Sequence, residues 1–298
     1  MAGAAAVAQR PLVFGEVLFD SFADGGNILG GAPFNVAWNL RMLGADPLFV
    51  GAVGNDELGQ QVRAAMVAAG LDTRALQVTQ DAPTGRVRVT LESGEPTYDI
   101  LADQAYDRVQ AEALQAVVPE RAPLLYHGSL ALRSEPSRSA CDWLAQRSER
   151  RFVDVNLRRP WYRAVLDLVS GADYVKLNLD ELRELVDGSD DEARVAALFE
   201  RAGIREAVIL TSGAAGAAIH TRAGDRIAAP APEVTDLRDP VGAGDAFASV
   251  VILGLLSGWA WGVTLERALD FAARVCTLQG ATTNDPDFYT TARSRWGV

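Results

Sequence analysis

The segment DPVGAGDAF, residues 239–247, joins a glycine turn to a carboxylate directly ahead of an apolar stretch. A glycine turn that leads into a helix presents free backbone N–H groups, which commonly bind phosphate. In a phosphoryl transfer, the Asp245 carboxylate could take the proton of an attacking hydroxyl. The amides of Gly242, Ala243 and Gly244 would hold the charge on the phosphate. The alternative for Asp245 is the N-cap of the following helix.

A second glycine pair, Gly30 and Gly31, opens the segment GGAPFNVA, in which Asn35 follows. Paired glycines let a polyol approach the backbone closely, and the amide of Asn35 can bond its hydroxyls. The alternative is a strand–turn–helix connection with Pro33 in the first turn. Neither glycine segment matches the nucleotide-binding motif GxxxxGK[ST]. In DPVGAGDAF, Phe247 stands where the dinucleotide-binding motif GxGxxG requires its third glycine. Taken together, the two segments predict phosphoryl transfer to a polyol.

With two further segments between them, these stretches resemble the signatures of the PfkB (ribokinase-like) family of carbohydrate kinases, over nearly the whole chain. GGAPFNVA and DPVGAGDAF are similar to the two family signatures, in the family's order. KLNLDE is similar to the NxxE element, and TSGAAGA to the TxGxxG element on the nucleotide side. The resemblance implies ATP-dependent phosphorylation of a sugar hydroxyl.

The resemblance also implies a role for each matched residue, with Asp245 as the general base and Gly242 to Gly244 as the anion hole. Sugar hydroxyls would be bound by Asp20, Gly30, Gly31 and Asn35. ATP would be bound by Asn178, Thr211, Gly213 and Gly216. Mg²⁺ would be oriented through water by Glu181, and a monovalent cation such as K⁺ would be held by Asp239. From the residues alone, Asn178 and Glu181 equally describe a helix start, and Asp239 a turn before Pro240.

The class of substrate is predicted from resemblance to one branch of the family and from the charge of the segment at residues 85–107. GEVLFD, which contains Asp20, resembles the fructokinase branch, as does VDVNLR, in which Arg158 would reach the transferring phosphate or lie on the surface. No Arg or Lys occurs from residue 96 to 107, whereas three aspartates do, so an acidic substrate is disfavoured. Arg86 and Arg88 would permit an acidic substrate if their side chains pointed into the sugar pocket. Fructose is therefore the first candidate.

Two departures from the family pattern are Pro240, where Thr is more usual, and Phe34, which we expect to reshape the sugar pocket.

Two alternative functions stay open. The first is a kinase of the same family acting on 2-keto-3-deoxygluconate, ribose or a nucleoside. The second is a sugar- or nucleotide-sensing protein of the same fold without turnover.

Apolar runs typical of buried strands alternate with helix-length segments along most of the chain. This alternation predicts a mostly parallel sheet covered by helices on both faces, and the resemblance implies a single ribokinase-like α/β domain over residues 1–298. Residues 19–31 and 85–101 alternate polar and apolar positions instead, with a hairpin tip at ESGEP. These segments predict a small β lid. Because lid strands have exposed edges, we expect a homodimer through the lid.

Composition excludes several classes of protein. The net charge of −11 disfavours nucleic acid and anionic membranes as partners, and the two cysteines form no CxxC. The apolar run from residue 246 to 261 is shorter than the roughly 20 residues of a membrane span, so we expect a buried helix. The first twelve residues are typical of a loose leader rather than a signal peptide. A cytoplasmic location is expected.

Overall fold

The computed structural model describes residues 10–22, 25–92, 95–158 and 165–298, and the predicted leader lies largely outside them. The strands are β1 (Leu12–Phe14), β2 (Leu18–Phe22), β3 (Asn27–Gly30), β4 (Leu48–Gly54), β5 (Leu76–Thr79), β6 (Gly85–Glu92), β7 (Glu95–Ile100), β8 (Leu125–His127), β9 (Arg151–Asp154), β10 (Tyr174–Asn178), β11 (Ala207–Thr211), β12 (Ala217–Thr221) and β13 (Arg226–Ala229). The helices are α1 (Ala32–Met42), α2 (Glu57–Ala68), α3 (Glu135–Ala145), α4 (Val165–Val169), α5 (Leu179–Leu185), α6 (Asp191–Ala202), α7 (Ala243–Ser257), α8 (Trp261–Val275) and α9 (Pro286–Trp296).

The large sheet has the strand order β13-β12-β11-β10-β9-β8-β1-β4-β5. Its strands from β11 through β5 pair in parallel, and only the β12–β13 end is antiparallel. Alternate side chains pack against opposite helix layers. Val13 and Ile209 join the core that α1, α2, α7, α8 and α9 form, whereas Leu12 packs with α3 and Val208 with α4 to α6. The predicted parallel sheet with helices on both faces is confirmed.

The small sheet has the order β3-β2-β6-β7, in which β2 pairs antiparallel with β3 and parallel with β6. Its strands fall in both segments that the alternating pattern singled out, and β6 and β7 pair antiparallel. Ser93 and Gly94 of the predicted hairpin tip lie outside the described residues. Because β2 follows β1 and β3 leads into α1, this lid is tied to the carboxyl edge of the large sheet.

The apolar run after Asp245 forms α7, whose residues Ala246 to Gly254 are all buried. Gly254 permits close packing of α7 on α8, because a Cβ there would lie 2.6 Å from Thr264 Oγ1. Among the described residues, no helix is long and apolar enough to cross a membrane. The predicted buried helix is confirmed, and its N-terminus lies at the carboxyl edge of the sheet.

Candidate active site

The start of α7 carries the glycine turn. Gly242 is the N-cap in a left-handed conformation, with φ of 81°, and Asp245 is the third residue of the helix. The N-cap interpretation of Asp245 is therefore wrong. The Ala243 amide donates to Pro240 O at 3.2 Å. Of the three predicted amides, those of Gly242 and Gly244 form no hydrogen bond within the described residues, and Gly244 is exposed.

Asn35 brings the second glycine segment against the first. Its Nδ2 donates to Asp245 Oδ2 at 2.8 Å, which joins α1 to α7. Asn35 is buried, and within the described part of the chain its Oδ1 has no hydrogen-bond partner. A buried amide oxygen without a donor is uncommon and costly. It suits an acceptor for a hydroxyl group placed beside Asp245.

The pKa of Asp245 is raised from 3.8 to about 6, mainly by burial. The hydrogen bond from Asn35 offsets part of that rise. Asp154 raises the pKa further, whereas Lys176 and Arg158 lower it. A carboxylate with a pKa closer to neutrality is a better proton acceptor than an ordinary aspartate and is still ionised at pH 7. Asp245 thus has the protonation behaviour of a general base.

The predicted sugar-binding residues lie on β2, at the end of β3 and at the start of α1. Gly31 has φ of 108°, and a Cβ there would lie 2.6 Å from Glu16 O, so the position requires glycine. Gly30 is buried, yet a Cβ there would meet nothing within 4 Å. Asp20 is half-buried on β2, and burial raises its pKa, with Arg158 lowering it and Asp239 raising it. The backbone at Gly30 therefore borders open space.

Asn178 and Glu181 form a capping box at the start of α5. Asn178 Oδ1 accepts from Glu181 N at 2.9 Å, and Glu181 Oε2 accepts from Asn178 N at 2.8 Å. Glu181 Oε1 also accepts from Leu157 N at 2.7 Å. The helix-start interpretation is confirmed. Each carboxylate oxygen retains a lone pair, which fits contact with Mg²⁺ through water, and no group of three or more His, Cys, Asp or Glu in the described ranges could hold a metal directly.

The predicted nucleotide-side residues lie at the turn between β11 and β12. Thr211 ends β11, and Gly213 and Gly216 have φ of 54° and 104°. A Cβ at Gly216 would lie 2.1 Å from Ala229 O, so the turn closes tightly on β13. A cavity of about 480 Å³ adjoins this turn and is lined in part by Ser212, Ala215 and Gly216.

Asp239 ties the glycine turn to the loop after α8. Its Oδ1 accepts from Val241 N at 2.9 Å, and its Oδ2 accepts from Gly280 N at 3.0 Å. Hydrogen bonding to the backbone two residues ahead is the turn-initiating role of Asp. This role is what the structure shows for Asp239. The same carboxylate oxygens would have to share their lone pairs with any monovalent cation.

The arginines fall into two groups. Arg158 is exposed, but its charge lowers the pKa values of Glu16, Asp20 and Asp245, so it lies within electrostatic range of the site. Arg88 and Asp99 are both exposed and pair at 3.4 Å on the lid. Arg86 is also exposed, and its charge lowers the pKa of Asp56 at the start of α2. Of these two lid arginines, Arg88 is thus engaged with Asp99.

Phe34 does not line the site. It is 1% exposed and packs against Trp38 and Phe49, with ring centroids 5.9 and 5.5 Å away. The expectation that Phe34 reshapes the sugar pocket is therefore wrong. The helical periodicity of α1 turns Phe34 into the core and its neighbour Asn35 toward Asp245.

Sequence reasoning missed the buried ion pair between Lys176 on β10 and Asp154 on β9. Lys176 Nζ donates to both carboxylate oxygens of Asp154, at 3.0 and 2.9 Å. Burial lowers the pKa of Lys176, but the attraction of Asp154 outweighs it and leaves the pKa raised. The available signal was compositional, because Lys176 is the only lysine among 28 lysine and arginine residues.

Glu16 was also missed, although it lies in the segment GEVLFD together with Asp20. It is 3% exposed, and within the described residues its Oε2 has no hydrogen-bond partner. Burial raises the pKa of Glu16 from 4.5 to about 7, with Arg158 lowering it and Asp245 raising it. The folded chain therefore retains a proton that the unfolded chain has already released between these two pH values.

Because the folded state binds this extra proton, the free energy of unfolding should fall as pH rises from 4.5 to about 7. Replacing Glu16 by Gln removes that loss. The melting temperature of Glu16→Gln relative to the original protein should thus be higher at about pH 8 than at about pH 5. Glu112→Gln, at an exposed glutamate, is the control. A gap that does not change with pH would contradict the buried, proton-retaining Glu16.

Three comparisons with known proteins bear on this site. The model of the pfkB family carbohydrate kinases matches residues 20–287. Fructokinase-2 of Oryza sativa subsp. japonica is 30% identical over 281 residues, which cover 85% of this chain and 82% of that protein. The fructokinase of Klebsiella pneumoniae is 32% identical over 264 residues, which cover 82% of this chain and 83% of that protein.

A solved structure shows the same ribokinase-like architecture. Aminoimidazole riboside kinase from Salmonella enterica, complexed with aminoimidazole riboside and an ATP analog, aligns with a TM-score of 0.81 at 26% identity. The alignment covers 95% of this chain and 99% of the Salmonella chain. The matched range includes every residue of the candidate site from Asp20 to Gly280.

Proposed function

This chain belongs to the pfkB family of carbohydrate kinases, and from that premise we propose that it transfers the γ-phosphoryl group of ATP to a hydroxyl of a neutral sugar, fructose being the first candidate. The observation that carries the proposal is the contact between Asn35 and Asp245 at 2.8 Å, beside the amides of Gly242 and Gly244. This contact supports a site in which a proton acceptor, a hydroxyl acceptor and the amides of the glycine turn act together.

In the proposed reaction, Asp245 accepts the proton of the sugar hydroxyl as that oxygen attacks phosphorus. The amides of Gly242 and Gly244 donate to the phosphoryl oxygens, on which charge builds up. Asn35 Oδ1 and Asp20 orient the sugar, and the space beside Gly30 receives it. Closure of the lid would exclude water and limit hydrolysis of ATP.

On the nucleotide side, we assign ATP to the region of Asn178 and of the turn that contains Thr211, Gly213 and Gly216. Glu181 would hold Mg²⁺ through water, and the ion would neutralise charge on the phosphates. Arg158 is assigned to the transferring phosphate because its charge already acts on Asp20 and Asp245. A K⁺ site at Asp239 stays part of the proposal.

Three observations support a neutral sugar. The relatives from rice and Klebsiella pneumoniae are fructokinases. On the lid, Arg88 is paired with Asp99. The buried Arg133 is neutralised by Asp107, to which its Nε and Nη2 donate at 2.7 Å. Because a carboxylate or phosphate on the substrate needs an available cation, these pairs disfavour acidic sugars.

The alternatives are a kinase of 2-keto-3-deoxygluconate, ribose or a nucleoside, and a sensing protein without turnover. The Salmonella relative is a riboside kinase, which keeps the nucleoside alternative open. Intact Asp245 with its raised pKa favours turnover over sensing.

The test of substrate class is ADP release from ATP and Mg²⁺ with fructose, ribose, 2-keto-3-deoxygluconate, adenosine and fructose 6-phosphate in parallel. We expect the highest kcat/KM with fructose, because Arg88 and Arg133 are each paired with an aspartate. The control is the same mixture without sugar. A higher kcat/KM with an acidic substrate would retain the kinase and overturn the proposed specificity.

We also propose a cytoplasmic homodimer that pairs through the lid. The lid exposes Phe22 on β2 and Ile28 on the edge strand β3, with 38% and 42% of their surface accessible. Exposed edges and apolar side chains favour pairing between two copies. The mass in solution, measured by light scattering, tests this assembly, and a monomer would contradict it.

A further inference from the structure

Asn39 is a polar residue in the apolar core, one turn of α1 after Asn35. It is fully buried, and its Oδ1 accepts from Tyr289 Oη of α9 at 3.0 Å. Within the described residues, its Nδ2 has no hydrogen-bond partner. A buried amide with an unpaired donor costs free energy, and a leucine would fill the same position without that cost. Stability alone therefore explains Asn39 poorly.

Tyr289 and Trp38 bind the two backbone groups of Thr283, in the loop after α8. Thr283 N donates to Tyr289 Oη at 3.5 Å, and Trp38 Nε1 donates to Thr283 O at 3.2 Å. Trp38 is the neighbour of Asn39 on α1. Burial raises the pKa of Tyr289 to about 12, so its hydroxyl keeps its proton at neutral pH and can donate to Asn39. The loop is thus held from α1 at two points.

The same loop lies against the glycine turn. A Cβ on Gly242 would lie 2.2 Å from Ala281 Cβ and 2.4 Å from its Cα, so the two residues pack without space between them. Gly280 N donates to Asp239 Oδ2 at 3.0 Å. A continuous series of contacts therefore runs from α1, which carries Asn35, through this loop to the turn at the start of α7.

We infer that three residues, Asn39, Tyr289 and Trp38, are positioning residues for phosphoryl transfer. They hold residues 280–283 so that the amide of Gly242 stays aligned with the transferring phosphoryl group. The inference rests on the proposed kinase function, in which the sugar is bound at the start of α1 and the phosphoryl group at the start of α7. Because the loop is anchored on α1, its displacement would move the amide relative to the bound sugar.

The alternative is a hydrogen bond that only helps to pack α9 on α1. The ring of Tyr289 also packs against Phe271 and Phe288, with centroids 5.9 and 5.2 Å away, and these contacts do not need its hydroxyl. If the role is only structural, removing the hydrogen bond changes stability and leaves catalysis as it was. If the residues position the turn, it weakens binding of the transition state more than binding of either substrate.

The kinetic experiment uses the double variant Asn39→Leu, Tyr289→Phe. Replacing both partners of a buried hydrogen bond by apolar groups of similar shape can leave stability nearly unchanged. We expect kcat to fall about 10- to 10²-fold, the scale of a displaced catalytic group, with the KM for fructose unchanged. The control is Thr264→Val, which removes a buried hydroxyl that donates to Ala260 O at 3.1 Å at the start of α8, and it should keep the original kcat.

A transition-state analogue gives the readout that a structural role would not change. Calorimetry with fructose present compares binding of Mg²⁺ and ADP alone with binding of Mg²⁺, ADP and aluminium fluoride, which takes the place of the transferring phosphoryl group. We expect the double variant to lose affinity for the aluminium fluoride complex by about the same factor as kcat, and to keep its affinity for ADP. Equal losses for the two ligands, or no loss for either, would overturn the inference.

Trp38→Phe tests the second contact with the loop independently. It removes the indole N–H that binds Thr283 O and keeps an aromatic ring beside Phe34. The same selective loss of affinity for the aluminium fluoride complex is expected. If circular dichroism shows the double variant to be unfolded, Trp38→Phe decides.

The outcomes separate this inference from the function on which it rests. Folded variants that keep the original kcat would overturn the inference while the kinase function stands. An unaltered protein without turnover of any sugar would overturn the proposed function and the inference together.

Discussion

Replacing Asp245 by Asn should lower kcat about 10²- to 10⁴-fold, the usual contribution of a general base. An amide has nearly the shape of the carboxylate and still offers an oxygen to Asn35 Nδ2, so the contact that now measures 2.8 Å can persist. It cannot accept the proton of the attacking hydroxyl. The affinities for ATP and fructose, measured by calorimetry, should therefore change much less than kcat.

The pH dependence gives a second readout of the same residue. Because the pKa of Asp245 is about 6, the carboxylate gains a proton as pH falls through that value, and kcat/KM should fall with it. The residual activity of Asp245→Asn should lack this acid limb. The control is Asp287→Asn, in the first turn of α9 and exposed. A rate unaffected by Asp245→Asn would contradict the assignment of the base.

Gly242→Ala should have the second largest effect, because it moves the anion-binding turn. Gly242 has φ of 81°, and a Cβ there would lie 2.2 Å from Ala281 Cβ and 2.4 Å from its Cα. Either the turn or the loop at Ala281 must therefore shift. A displacement of about 1 Å in a catalytic group can cost about 10²-fold in rate, and a loss of kcat on that scale is expected.

Gly258→Ala is the matched control, at the other end of the same helix. Gly258 is also left-handed, with φ of 69°, but a Cβ there would meet nothing within 4 Å. Both substitutions carry a backbone cost of about 1–2 kcal/mol, so both should lower the melting temperature. Only Gly242→Ala should lower kcat. Equal kinetic losses in the two variants would show that helix stability, rather than placement of the amides, controls the rate.

The strands, the helix layers and the lid could be predicted because they follow from local patterns of apolar and polar residues. The glycine turn could be predicted because the positive φ at Gly242 and Gly31 is a local requirement of the backbone. The role of Asp245 as general base stays a prediction, which rests on its place after that turn. These features depend on residues that are close in sequence.

The remaining features depend on which side chains the fold brings together. Lys176 contacts Asp154 only because β9 and β10 pair in parallel, with these two residues in register. The burial of Phe34 could not be predicted without knowing which face of α1 packs against the core. Such partners are set by long-range pairing, and a single sequence carries no local signal for them.

The most direct test of the central claim is to measure formation of a sugar phosphate by ³¹P NMR, with fructose, ATP and Mg²⁺ present. ATP hydrolysis is followed in parallel without fructose. The proposed mechanism predicts a phosphorylated sugar and much slower hydrolysis when the sugar is omitted, because the lid closes on the sugar. Binding of ATP and fructose without any phosphorylated product would contradict it and would favour a sensing protein.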